Sequence, residues 1–164
     1  EAATAQRIAD FLDQAISEAR QLSRGLFPIR LEADGLPSAI EELARSTRER
    51  FQLDCHFECA ERIVFKGKIV ATHLYRIAQE AVNNAVKHAR PKHITIRLIC
   101  HPDTLELRVE DDGLGMTAEV SPGNSGMGLH IMHYRATSIG GTLHVVQNVH
   151  GGTLVSCCLP WEQS

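Results

Sequence analysis

The chain has 164 residues, 43% hydrophobic and 23% charged, the composition of one ordinary globular domain and not of a disordered tail or a fibre. Seventeen Lys and Arg against 20 Asp and Glu leave a net charge of −3, which gives no general reason to expect nucleic acid as a partner. No run of 18 apolar residues exists, so no stretch of this segment is built to span a membrane.

Residue 1 is Glu and no signal peptide opens the chain, so the sequence reads as a piece of something longer. From Ala2 to about Arg24 the apolar pattern is helical. Ile8, Leu12, Ala15, Ala19 and Leu22 form a heptad seam, widened by Phe11 and Ile16. One helix cannot bury such a seam alone. It packs either on its own domain or on a partner helix in an intermolecular bundle. Gly25 and Pro28 end it. A second helix starts near Pro37 and runs from Ser38 to Arg50, with Ile40, Leu43, Ala44 and Phe51 on one face. Residues 53–59, and a weaker stretch at 62–65, read as strand. Thr72 to about Ala89 is a strong helix, stopped by Pro91. Ile94, Ile96, Leu98 and Cys100 alternate in a strand; Leu105, Leu107 and Val109 alternate in the next, which ends in the acidic, Gly-rich turn Glu110–Gly115. Residues 116–125 have turn composition and read as a mobile loop. A helix follows over roughly Leu129 to Ile139, ending at Gly140-Gly141. Two last strands, 142–148 and 153–159, flank the turn His150-Gly151-Gly152. The order predicts an α+β fold in two layers, helices on a mainly antiparallel sheet.

The five cysteines (Cys55, Cys59, Cys100, Cys157 and Cys158) are odd in number and show no disulfide spacing. They read as reduced, buried thiols of a cytoplasmic domain. Cys55, His56 and Cys59 lack a second Cys/His pair at zinc-finger distance, so zinc is not expected. A P-loop motif is absent, which closes that route to ATP.

The segment Gln79–His88 carries the chemistry. On a helix, Glu80, Asn84 and His88 share one face, with Lys87 beside them. That face offers a carboxylate, an amide oxygen, an imidazole and an ammonium. It is either a plain solvated surface or a site where an amide oxygen with water ligates Mg²⁺ and Lys87 meets phosphate. Two glycine turns tip the balance. Asp111-Asp112-Gly113-Leu114-Gly115 directly follows a strand, and a carboxylate at Asp111 can accept a hydrogen bond from an exocyclic amine such as that of adenine. Gly126-Met127-Gly128-Leu129 opens a helix, where free backbone N–H groups form an anion site.

At these residues the sequence resembles the GHKL ATPase superfamily. Glu80 to His88 looks like its N box, Asp111 to Gly115 and Gly126 to Leu129 like its two glycine boxes, and Gly152-Thr153 like its last adenine-side element. The stretches Ser23–Pro28, Gly35–Ile40, Leu74–Glu80 and Gly128–Gly141 further resemble the sensor histidine kinases paired with LuxR/NarL-type response regulators. The resemblance implies a Bergerat fold, a two-layer sandwich of helices on a mixed, mainly antiparallel sheet, with Mg-ATP under a lid at 116–125. It divides the chain into residues 1–27, the second helix of the dimerisation hairpin, and 28–164, the ATP-binding catalytic domain.

Carried over by residue, the resemblance makes Asn84 the Mg²⁺ ligand and places Asp111 at the adenine amine, with Thr153 beside it. Gly113, Gly115, Gly126, Gly128 and Leu129 shape the phosphate and lid contacts. Lys87 and His88 approach the phosphates or ribose, and Glu80 gives catalytic assistance. The implied enzyme is a protein-histidine kinase using ATP and Mg²⁺ in the cytoplasm, from a parent with or without a membrane anchor. Its partners are its own dimerisation domain, in a homodimer, and the response regulator. The phosphoacceptor of such kinases lies on the first hairpin helix; no histidine precedes His56, and neither His56 nor His73 has an acceptor's context. His130 and His133 stand where many relatives have Arg and read as surface residues. A GHKL serine kinase or ATPase of the anti-sigma class, or a nucleotide-binding module without catalysis, are the competing functions.

Overall fold

The computed structural model describes residues 35–59, 63, 65, 67–115, 127–148 and 151–161. The N-terminal heptad helix, the loop read as a lid, Gly126 and most of the weak strand at 62–65 lie outside the described residues.

Helix α1 spans Leu36–Phe51, with Pro37 in its first turn as its fixed φ favours. Leu36, Ile40, Ala44 and Thr47 recur every three or four residues and are buried. Strand β1 follows at Asp54–Cys59. Helix α2 runs over Lys68–Asn84 and buries Ala71, Leu74, Ile77, Ala78, Ala81 and Val82. It begins a turn earlier than Thr72, whose hydroxyl donates back to the Lys68 carbonyl at 2.7 Å from within the helix. Its continuation, Ala85–Ala89, is a π-helical turn that ends at Arg90 with φ of 50°. Such turns are rare and cluster at functional sites. His73 sits inside α2.

Strands β2 (His93–Cys100) and β3 (Thr104–Asp111) form a hairpin. Helix α3 (Met127–Ser138) turns off at Gly140, φ 71°, where the Gly141 N–H donates to the Ala136 carbonyl at 2.9 Å. Strands β4 (Thr142–Gln147) and β5 (Thr153–Pro160) close the order β1-β2-β3-β5-β4. β1 is parallel to β2 and every other pairing is antiparallel, so the sheet is mixed as expected.

Register decides which face is apolar. Phe57, Ile96, Val109, Val155 and Val145 stand in one row, and Cys59, Leu98, Leu107, Cys157 and Leu143 in the next. These rows include the buried side of the sheet, under the helices. The opposite face carries a row of Glu58, Arg97, Arg108, Ser156 and His144, with ion pairs from Arg97 to both Glu58 and Glu110. Period-two alternation puts Leu105, Leu107, Val109 and Asp111 on the same side of β3, so the carboxylate ends an apolar row.

Cys55 and Cys157 are buried, and burial pushes their thiols up to about 11 and about 12. Cys59, Cys100 and Cys158 are half-buried, less deep than the sequence suggested. Cys55, Cys157 and Cys158 are free thiols. No described helix is long and apolar enough to cross a membrane.

Candidate functional site

A cavity of about 420 Å³ opens between α2 with its π turn, α3, and the ends of β3, β4 and β5. Val109, Val145 and Val155 line it from the sheet, and Ala81, Ala85, Ala89 and Met132 from the helices. The polar lining comes from Asn84 and His88 on the helical side and from Asp111 and Thr153 on the sheet side. Gly115, Gly128 and Leu129 complete the wall. A largely apolar cleft with a few converging polar groups has the form of a small-molecule site.

Asp111 is 7% exposed. Burial pushes its carboxyl above the ordinary range, while hydrogen bonds from Gly113 and Thr153 pull the other way. The Gly113 N–H donates to its Oδ1 at 2.9 Å, and Thr153 donates through backbone and side chain. Close packing of backbone fixes this end. Gly152 lies in the left-handed region, φ 80°, and a Cβ there would collide with the Asp111 backbone. A Cβ at Gly113 would collide with the Ala89 carbonyl.

At the other end, Glu80 sits one turn before Asn84 on α2. A Cβ on Gly128 would strike the Glu80 carboxylate and lie near the Asn84 amide, so a larger residue there would displace the Glu80 side chain. Burial raises the Glu80 carboxyl, opposed by the charges of Lys87, Arg135 and His88. Arg135, half-buried on α3, is the one group of this set that the residue pattern of the N box did not announce. Lys87 and His88 are exposed on the π turn. His130 and His133 are exposed on α3, as read from the sequence.

Of the residues singled out in the sequence, Asn84, His88, Asp111, Gly115, Gly128, Leu129 and Thr153 line this one cavity. Glu80 and Gly113 stand directly behind it, and Lys87 lies on the π turn outside the lining. Gly126 falls outside the described residues. The apolar floor of Val109, Val145, Val155 and Met132 went unnoticed in the sequence, because its alternation is indistinguishable from core. Leu114, 74% exposed at the rim, was hidden inside the glycine motif.

The donor set suits Mg²⁺ held by a nucleotide. Among the described residues no three His, Cys, Asp or Glu side chains stand together as a metal cage. Asn84, which lines the cavity near the Glu80 carboxylate, brings one neutral oxygen donor, and Mg²⁺ commonly takes few protein oxygens and keeps water and phosphate as its remaining ligands.

The profile of the family described as "Histidine kinase-, DNA gyrase B-, and HSP90-like ATPase" matches residues 69–163. The chain is 32% identical over 147 residues to the sensor histidine kinase LiaS of Bacillus subtilis, covering 90% of this chain and 40% of LiaS. It is 35% identical over 158 residues to the nitrate/nitrite sensor protein NarQ of Escherichia coli, covering 94% of this chain and 28% of NarQ. It thus spans less than half the length of these relatives. Among solved structures, the histidine kinase AdeS of Acinetobacter baumannii superposes with a TM-score of 0.68 at 15% identity, over 94% of this chain and 81% of that one, a likeness of fold.

Proposed function

Because this chain belongs to the histidine kinase-, DNA gyrase B- and HSP90-like ATPase family, we propose that its cavity holds ATP and that it is the catalytic domain of a sensor histidine kinase. The observation that carries this reading is that a buried, pre-bonded carboxylate on the sheet, an Asn side chain on the helix and a glycine at the start of α3 line one apolar cleft. Asp111 accepts the hydrogen bond of the adenine amine, with Thr153 beside it. Val109, Val145, Val155 and Met132 enclose the base and exclude water.

The N–H groups at the start of α3, at Gly128 and Leu129, face the phosphates together with Lys87 and His88. The oxygen of Asn84 is the protein ligand for Mg²⁺, which when bound neutralises phosphate charge. Glu80 orients the groups around Asn84 and gives catalytic assistance.

The γ-phosphoryl group passes in line to a histidine nitrogen of the dimerisation region: the P–O bond to ADP breaks, a P–N bond forms, and ADP leaves. Transfer of this kind asks the protein for position and charge balance more than for covalent chemistry. We assign residues 1–27 to the second helix of the dimerisation region and 28–164 to the catalytic domain. The domain works on the cytoplasmic side of a dimeric parent, and a LuxR/NarL-type response regulator receives the phosphoryl group.

The test supplies the dimerisation region, bearing its acceptor histidine, as a separate protein with γ-labelled ATP. Acid-labile label is expected on that protein and none on this chain. Label on this chain, or none on either, overturns the reading. Asn84→Ala should cut transfer on the order of 100-fold and remove its dependence on Mg²⁺.

A further inference from the structure

One carboxylate in the glycine turn lies outside the cavity, yet it is among the most heavily bonded side chains of the described residues. The Asp112 Oδ1 accepts hydrogen bonds from the backbone N–H groups of Lys92 and His93, each at 2.8 Å. Its Oδ2 lies 2.7 Å from the His93 ring nitrogen Nδ1. The β2–β3 ladder ends at the pair Ile94–Asp111, and Asp112 extends it by one step, its side chain taking the N–H groups while its own N–H donates to the His93 carbonyl at 3.3 Å. Partial burial works to raise the Asp112 carboxyl, but the bonds from His93 and Lys92 outweigh it and hold the carboxyl below the ordinary value.

The turn is held from two further sides. The Leu114 N–H donates to the Ala89 carbonyl at 2.8 Å, and the Asp111 backbone lies against Gly152. With Oδ1 of Asp111 engaged by the Gly113 N–H and Thr153 bonded to the same carboxylate, the setting of that carboxylate depends on the path of residues 111–113. Asp112 is the middle residue of that path.

We propose that Asp112 is a positioning residue for base selectivity: its carboxylate staples the turn carrying Asp111 to the start of β2, aiming the Asp111 carboxylate at the exocyclic amine of adenine. The inference rests on the reading of the cavity as an ATP site with Asp111 at the base. Its consequence is specific. Releasing the staple lets the turn swing and misplaces one hydrogen bond to the base, while the phosphate contacts on α2 and α3 stay where they are. Misplacement of a recognition group by about an ångström is enough for a large loss.

The experiment titrates the folded chain with non-hydrolysable ATP and with its inosine counterpart, which lacks the amine. Asp112→Ala should weaken the ATP analogue roughly tenfold and leave the inosine analogue within about twofold, so that preference for adenine falls roughly tenfold. Asp112→Asn keeps an oxygen for the two backbone N–H groups and should recover most of the preference. If Asp112→Ala does not fold, Asp112→Ser, which can accept at most part of the set, carries the same expectation. A variant that lowers the melting temperature and weakens both nucleotides equally would show a structural role alone and overturn the proposal. Asp111→Ala separates the two layers of the argument. If it leaves the adenine preference intact, the base reading itself is wrong. If it abolishes the preference and Asp112→Ala does not change it, only the positioning role fails.

Discussion

Asp111 reaches the cavity already bonded to Gly113 and Thr153, on a turn braced against Ala89, His93 and Gly152, whereas Lys87 and His88 stand exposed on a single π-helical turn. The first end of the cavity is organised before any ligand arrives; the second presents exposed side chains with no bracing of this kind. On the proposed function, the difference follows from what each end would read. A neutral base is recognised by one well-aimed hydrogen bond and a dry apolar floor, so geometry has to be built in. Phosphates are strong anions, and mobile cations with helix N–H groups satisfy them without comparable precision.

The largest effect expected from this contrast is at Asp111. Replacing it with Ala should weaken an ATP analogue on the order of 100-fold or more in calorimetry while circular dichroism shows the fold retained. An unchanged affinity would remove the base-reading end altogether. Gly128→Ala comes next. Its new Cβ meets the Glu80 carboxylate, so that side chain must swing aside from its place beside Asn84. Affinity should fall about tenfold, with the adenine-over-inosine preference kept, because the damage is confined to the phosphate end.

The smallest effect concerns stability without ligand. Burial raises the folded-state carboxyl of Asp111, so its ionised form is less favourable folded than unfolded, and stability is lost as pH rises through its range. Asp111→Asn removes that loss. Its melting temperature relative to the native chain should climb as pH rises above the ordinary carboxylate range, and the two should converge in acid. A difference that does not vary with pH would show that the carboxylate carries no such penalty.

Much of this was legible in the sequence. The acid-amide helix and the glycine turns at Asp111 and Gly128 meet in one cavity, because residues that share a helix face, end a strand or open a helix have directions fixed by local geometry. The mixed sheet matched as well, its parallel β1–β2 pair lying within that expectation. Three features were not legible, for physical reasons. The π turn at Ala85–Ala89 leaves no mark in apolar spacing. Val109, Val145 and Val155 alternate as any buried strand does, and only the helix spacing above them turns core into a binding floor. The bracing of Asp112 joins residues 19 and 20 positions apart, a contact made by the β2–β3 register rather than by any local motif.

The central claim is that this cavity is the nucleotide site, and its most direct test is an amide spectrum of the chain titrated with a Mg²⁺-bound, non-hydrolysable ATP analogue. The signals of Gly113, Gly115, Gly128, Leu129 and Thr153 should shift together along one saturation curve, while those of α1 stay still. Saturable shifts elsewhere, or no shift at these five residues, would contradict it.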